Sequence, residues 1–179
     1  MQNVRQKIAL VTGAASGIGQ AIAIHLAREG FHVICCDIAF DACKKVAKDI
    51  SRQSGSAEAL NIDVSKKEDW EEIRTHIQVS SGYLNLLVNN AGLMHIGSIQ
   101  DSTPDDWFRL RQVNLDSVFL GIRALLPLLV DSGAGRIVNL SSTNAIKATP
   151  YDSLYCTGKG VIRGMTEILA QEFKGQNLP

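Results

Sequence analysis

The chain has no surplus of charge, its 18 Lys and Arg being matched by 18 Asp and Glu. No basic or acidic run offers a surface for nucleic acid or an anionic membrane, so small molecules and copies of the chain itself are the expected partners. Aromatic residues make up only 6% of the sequence, which also argues against a base-stacking groove. Long apolar runs are missing too. Ile8 to Val11 is too short for a signal-peptide core, and Val118 to Val130 is interrupted by Arg123 and Pro127, so neither export nor a bilayer span is expected and the location read from them is cytoplasmic. Cys35, Cys36, Cys43 and Cys156 show no CxxC spacing and no His at ligand distance, so they read as buried thiols with no disulfide or metal site.

What is present is a regular alternation. Short runs rich in Val, Ile and Leu (Lys7 to Thr12, His32 to Asp37, Ala57 to Ile62, Leu84 to Asn89 and Arg136 to Leu140) read as strands buried on both faces. Helical periodicity fills the gaps at Gly17 to Glu29, Asp41 to Ser54, Lys66 to Ser80 and Pro104 to Asp131, with a last helix at about Asp152 to Phe173. Ser65 with Glu68, and Thr103-Pro104 with Asp105 and Asp106, mark two helix starts. Such alternation predicts an α/β fold, a doubly wound parallel sheet of about five strands with helices on both faces. With 179 residues and no linker or repeat, one domain over 1–179 is expected, large enough for a proper core.

Thr12-Gly13-Ala14-Ala15-Ser16-Gly17-Ile18-Gly19 joins the first strand to the first helix. Its glycines allow a tight turn and close approach to a pyrophosphate, and the helix start supplies free N–H groups and partial positive charge. Asp37 ends the second strand near the position where an acid binds the adenosine ribose hydroxyls and repels a 2′-phosphate. Ala39 and Phe40 offer no cation, and Ser16 stands where an Arg could have reached that phosphate, so NAD is favoured over NADP. Asp63-Val64 and Asn89-Asn90-Ala91-Gly92 close the third and fourth strands at the same carboxyl edge and line one groove with the glycine turn. Tyr155 and Lys159 share one helical face, where an ammonium can favour the phenolate and make Tyr155 an acid/base.

TGAASGIG, the Asp63 pair, NNAG, Ser141-Ser142 and YCTGK occur in one order from Lys7 to about Lys174, and in this the chain resembles the short-chain dehydrogenase/reductase family, in its compact subgroup with TGxxxGxG. The resemblance implies a Rossmann fold and an oxidoreductase moving a hydride between NAD and a secondary alcohol or ketone. It implies Tyr155 as catalytic acid/base, Lys159 lowering its pKa and holding the nicotinamide ribose, and Ser142, thirteen residues before Tyr155, bonding the substrate oxygen, with Ser141 the alternative. Asn114, in Val113-Asn114-Leu115, matches the family asparagine that interrupts helix bonding and holds a water leading to Lys159. Gly13, Ser16, Gly17, Ile18, Gly19, Asp37, Asp63, Val64, Asn90, Ala91 and Gly92, with Tyr155 and Lys159, are the implied cofactor contacts. Pairing through the fourth and fifth helices is implied as well, making a homo-oligomer the expectation.

The sequence departs from the family pattern in three places. Asn144 stands in the stretch after Ser142 and is expected to project its amide towards substrate, while Gly158 precedes Lys159 where a serine is common. The family pattern continues past this helix into a sixth strand, a Pro-Gly turn, a substrate-covering segment and a seventh strand, whereas Gly175-Gln176-Asn177 reads as a helix-ending loop shortly before Pro179. A C-terminally truncated member is therefore expected, with a non-catalytic NAD-binding or self-associating module as the competing reading. Met94, His95, Asn144, Ile146 and Tyr151 are candidate pocket residues, His95 reading more simply as a solvated loop histidine.

Overall fold

A computed structural model describes residues 5–147 and 149–174, so the loop expected at Gly175-Gln176-Asn177 lies outside the described residues. Strands β1 (Lys7–Thr12), β2 (Phe31–Asp37), β3 (Ser56–Asn61), β4 (Leu86–Asn89) and β5 (Arg136–Asn139) form one sheet in the order β3-β2-β1-β4-β5. Every pairing is parallel. The order reverses between β1 and β4, and the crevice at the carboxyl ends of those two strands is where ligands of open parallel sheets bind.

Successive residues of the central strands point to opposite faces, and each face has its own core. Val11, Val33, Cys35 and Val88 pack with Ala23 and Ala27 of α1 (Gly17–Arg28) and with Cys43, Val46, Ala47 and Ile50 of α2 (Phe40–Arg52). Leu10, Ile34, Cys36 and Leu87 pack instead with Trp70, Ile73 and Ile77 of α3 (Lys67–Ser80). Helix α4 (Pro104–Arg111) runs through a π turn, Gln112–Asp116, into α5 (Ser117–Asp131), and α6 (Ser153–Glu172) follows a 3-10 turn, Thr143–Ala145. Val118, Ile122, Leu125, Leu128 and Leu129 of α5 and Ile162 of α6 complete the second core. The joined helix Pro104–Asp131 is long and apolar enough to cross a membrane by length and composition, but these side chains are spent on the sheet.

Several sequence expectations are corrected. β3 and β5 are half-exposed rather than buried on both faces, because they are the outer strands of the described sheet. Ser65 does not cap α3; that position falls to Lys66, with no side-chain bond. The Ser65 hydroxyl donates to Asp63 Oδ1 at 2.6 Å and its backbone N–H to the same oxygen at 3.0 Å, an Asx turn that removes it from the helix end. Thr103 does form its capping box with Asp106. The helix expected from Pro104 to Asp131 is continuous, and helix bonding is interrupted around Asn114 as the resemblance implied, by the π turn at whose end the Ser117 N–H bonds the Gln112 carbonyl five residues back.

Candidate active site

Thr12 and Asn90 hold the glycine turn against the end of β4. The Thr12 hydroxyl accepts the N–H groups of Asn90 and Ala91, each at 3.0 Å, and the Asn90 amide donates to the Thr12 and Gly13 carbonyls at 2.8 and 3.3 Å. Gly13 has φ 66°, and a Cβ there would stand 2.7 Å from the Asn90 amide nitrogen, so both conformation and space require glycine. Ser16 precedes α1 without a side-chain cap, which leaves the first-turn N–H groups of Gly17, Ile18 and Gly19 with no intrahelical partner. Uncapped amides and helix dipole together suit an anion here.

In front of the turn lies a groove of about 640 Å³. Gly13, Ser16, Gly17, Ile18, Asp37, Asp63, Val64, Asn90, Ala91 and Gly92 all line it, bringing together most of the residues expected to touch a dinucleotide. Its glycine cradle and uncapped helix end fit a pyrophosphate. Asp37 accepts the Ala15 N–H on one carboxylate oxygen and the Ala39 N–H on the other, both at 2.9 Å, so it braces the glycine turn while lining the groove. Asp63 spends Oδ1 on the Ser65 turn, and its N–H donates to Asp69 at 2.6 Å. The Val64 carbonyl accepts the buried Trp70 indole N–H at 2.8 Å.

Sequence reasoning missed Leu93, Arg109, Gln112 and Val113, which also line the groove. Arg109, Gln112 and Val113 fall at i, i+3 and i+4, and that helical spacing was the signal for a common face. Gly19 does not line the groove; a Cβ there would run into the Gly13 carbonyl, so its part is close packing of helix against turn.

Behind Gly92 sits a second cluster. Asn114, 2% exposed, accepts the Leu93 N–H and donates to the Leu93 carbonyl, each at 2.7 Å, so its amide is satisfied by backbone. Lys159, 5% exposed, donates from Nζ to the Leu140 carbonyl at 2.6 Å, and burial lowers its pKa. A Cβ on Gly92 would lie 3.2 Å from Asn114 Oδ1 and 3.7 Å from Lys159 Nζ, so amide and amine flank the same backbone position. Tyr155 lies one turn earlier on α6, half-buried, with its ring centroid 5.9 Å from Lys159 Nζ.

The two serines take different tasks. Ser141 donates its hydroxyl to the Lys159 carbonyl at 2.8 Å, while Ser142 accepts the Asn144 N–H at 3.1 Å at the start of the 3-10 turn. The Asn144 amide, expected to project towards substrate, donates instead to buried Asp152 at 2.6 Å. His95 is a half-buried loop residue that bonds Ser102 at 3.0 Å, so its ring is partly held by protein.

The family described as short chain dehydrogenase matches residues 7–178. An uncharacterized oxidoreductase, YxjF, of Bacillus subtilis is 36% identical over 94% of this chain and 66% of its own length. A cyclopentanol dehydrogenase of a Comamonas species is 34% identical over 99% of the chain and 71% of its own length. The chain thus spans about two thirds of the length of these curated relatives. Among solved structures, a putative NAD(P) dependent gluconate 5-dehydrogenase from Beutenbergia cavernae, with NADP bound at low occupancy, superposes with a TM-score of 0.90 at 31% identity, covering 98% of this chain and 70% of that one.

Proposed function

The chain belongs to the short-chain dehydrogenase family, and from that premise we propose that it works as a single-domain, cytoplasmic oxidoreductase interconverting a secondary alcohol and its ketone. The observation that carries the reading is that Asn114 and Lys159 flank Gly92, which itself lines the glycine-walled groove, with the Tyr155 ring 5.9 Å from the Lys159 amine. When bound in that groove, the dinucleotide supplies the two-electron acceptor or donor. Tyr155 takes the hydroxyl proton of the alcohol, or returns it to the ketone oxygen in reduction. Ser142 donates a hydrogen bond to that oxygen and holds it. Lys159 presents its charge beside the phenol and reaches the nicotinamide ribose, while Asn114 fixes the Leu93 backbone next to it.

NAD is the proposed dinucleotide, because the Asp37 carboxylate lines the groove where a 2′-phosphate would bring further negative charge. Self-association through α5 and α6 is supported by Phe119, Val161 and Ile168, large apolar side chains left exposed on those helices.

The test is turnover of a panel of secondary alcohols, cyclopentanol and glycerol among them, with NAD and with NADP, in wild type and Tyr155→Phe. The variant is expected to lose about 10²- to 10⁴-fold in turnover while its NADH affinity stays within about threefold. Equal turnover in the variant overturns the assignment. Tight NADH binding with no turnover of any alcohol favours the non-catalytic NAD-binding module.

A further inference from the structure

Asp152 has no place in the chemistry above, yet its surroundings are unusual. It is 6% exposed and immediately precedes α6, three residues before Tyr155. Oδ2 accepts the Asn144 side-chain amide at 2.6 Å. Oδ1 is buried with no hydrogen-bond partner, the one such side-chain atom among the described residues. An aspartate in this position commonly caps a helix by accepting an N–H from the first turn, but Asp152 makes no such bond. Its carboxylate is turned away from that role and towards the 3-10 turn.

The residue before it is also held out of the ordinary. Tyr151 has φ 67°, in the left-handed region that an aromatic residue seldom enters, and its carbonyl accepts the Gly97 N–H at 2.8 Å. The backbone at 151 and 152 is thus fixed from both sides, by the 93–98 segment through Gly97 and by the 3-10 turn through Asn144.

From Asp152 the connections run in order to the reacting groups. Its side chain holds the Asn144 amide, and the Asn144 N–H holds Ser142 Oγ at 3.1 Å. The Asp152 carbonyl accepts the Cys156 N–H at 2.8 Å in the first turn of α6, next to Tyr155. One buried carboxylate therefore ties the loop that carries Ser142 to the helix that carries Tyr155. We propose that Asp152, acting through Asn144, is a positioning residue that sets Ser142 against Tyr155 so that both meet the same substrate oxygen. The N–H donated by Asn144 occupies an acceptor site on Ser142 Oγ and leaves its own hydrogen free to point at substrate. An error of about 1 Å in such an arrangement costs on the order of 10²-fold in rate.

The inference rests on the alcohol dehydrogenase reading, and its test separates the two. Wild type, Asp152→Ala, Asn144→Ala, the double alanine variant, the exchanged pair Asn144→Asp/Asp152→Asn and Tyr155→Phe are compared with cyclopentanol and glycerol as probes. Each single alanine variant is expected to lose about 10- to 100-fold in kcat with NADH affinity within about twofold of wild type. The double variant loses no more than the worse single one, because both remove the same connection. The exchanged pair rebuilds an amide-to-carboxylate bond and recovers to within about threefold of wild type.

Wild-type kcat in Asp152→Ala, or losses that multiply in the double variant, overturn the proposal. If Tyr155→Phe keeps full turnover, the active-site reading itself fails. A readout independent of turnover is amide hydrogen exchange at Asn144, whose N–H is held by Ser142 Oγ. Asp152→Ala is expected to speed that exchange at least about tenfold in a chain that remains folded by circular dichroism, and unchanged exchange overturns the proposal.

Discussion

Replacing Asn114 with Leu tests whether the amide holds the segment after β4. Leu keeps similar bulk but deletes both bonds to Leu93, leaving a backbone N–H and a backbone carbonyl without their partner at 2.7 Å. An unmet buried polar group costs about 1 to 3 kcal/mol. Leu93 is half-buried, so water recovers part of this, and the net loss comes to about 2 to 4 kcal/mol. For a domain of this size each kcal/mol lowers Tm by about 2 to 4 °C, so a fall of about 5 to 15 °C is expected by circular dichroism. Leu93 also lines the groove proposed for the dinucleotide, so NADH affinity should weaken several-fold in the same variant. A Tm within 2 °C of wild type with undiminished NADH affinity would refute the reasoning, since it would mean that Leu93 keeps its place without the amide.

Other substitutions probe separate parts of the molecule. Hydrogen bonding from His32, joined by His76 and opposed by burial, brings the Glu58 pKa down from 4.5 to about 2. The folded value lies below the unfolded one, so this contribution is complete above about pH 4.5 and is lost as pH falls towards 2; wild type should lose about 1 to 2 kcal/mol more than Glu58→Gln over that window in acid melts, after allowance for solvent screening. Asp37→Ser should shift the NADH to NADPH affinity ratio about tenfold towards NADPH in fluorescence titrations, with an unchanged ratio counting against the repulsion argument. Gly92→Ala places a Cβ 3.2 Å from Asn114 Oδ1, so turnover should fall at least tenfold while Tm changes by only a few degrees; full activity would separate Gly92 from the amide and amine behind it.

The central sheet was legible because parallel strands covered on both faces need unbroken apolar runs, and Ile8 to Val11 and Val33 to Cys36 are such runs. β3 was legible as a strand but not as an edge: Ser56–Asn61 is as short and bounded as the others, and only the sheet order shows that one side lacks a neighbour among the described residues. Ser65 looked like a helix cap because the pattern Ser-x-x-Glu is local, but Asp63, two residues before it, competes for the same hydroxyl and wins at 2.6 Å. The π turn falls on Asn114, where the family resemblance implied an interruption of helix bonding, although the composition of Gln112–Asp116 alone does not mark it. Asn144 was misjudged for a related reason: its partner Asp152 is eight residues away across a turn whose path the sequence does not specify.

The groove and the amine cluster were read from separate motifs, yet the structure gives them one support. The end of β4 bonds to three different elements in five residues: Asn89 to Asn139 of β5 at 2.8 Å, Asn90 to the glycine turn, and Leu93 to Asn114 in the π turn. Asn139 in turn donates to Thr166 of α6 at 3.0 Å, so the helix that carries Tyr155 and Lys159 is tied to the same strand end through a second path. Lys159 adds a third, through Leu140 just past β5. A buried lysine disfavours its own charge, and a fold meets that cost more readily when the amine has a fixed acceptor and rigid neighbours than when it lies on a mobile loop. The Asn-rich strand end supplies those neighbours. Its side chains therefore hold the glycine turn and the helix that carries Tyr155 and Lys159 in one register, and an alteration at this end of β4 is carried to both.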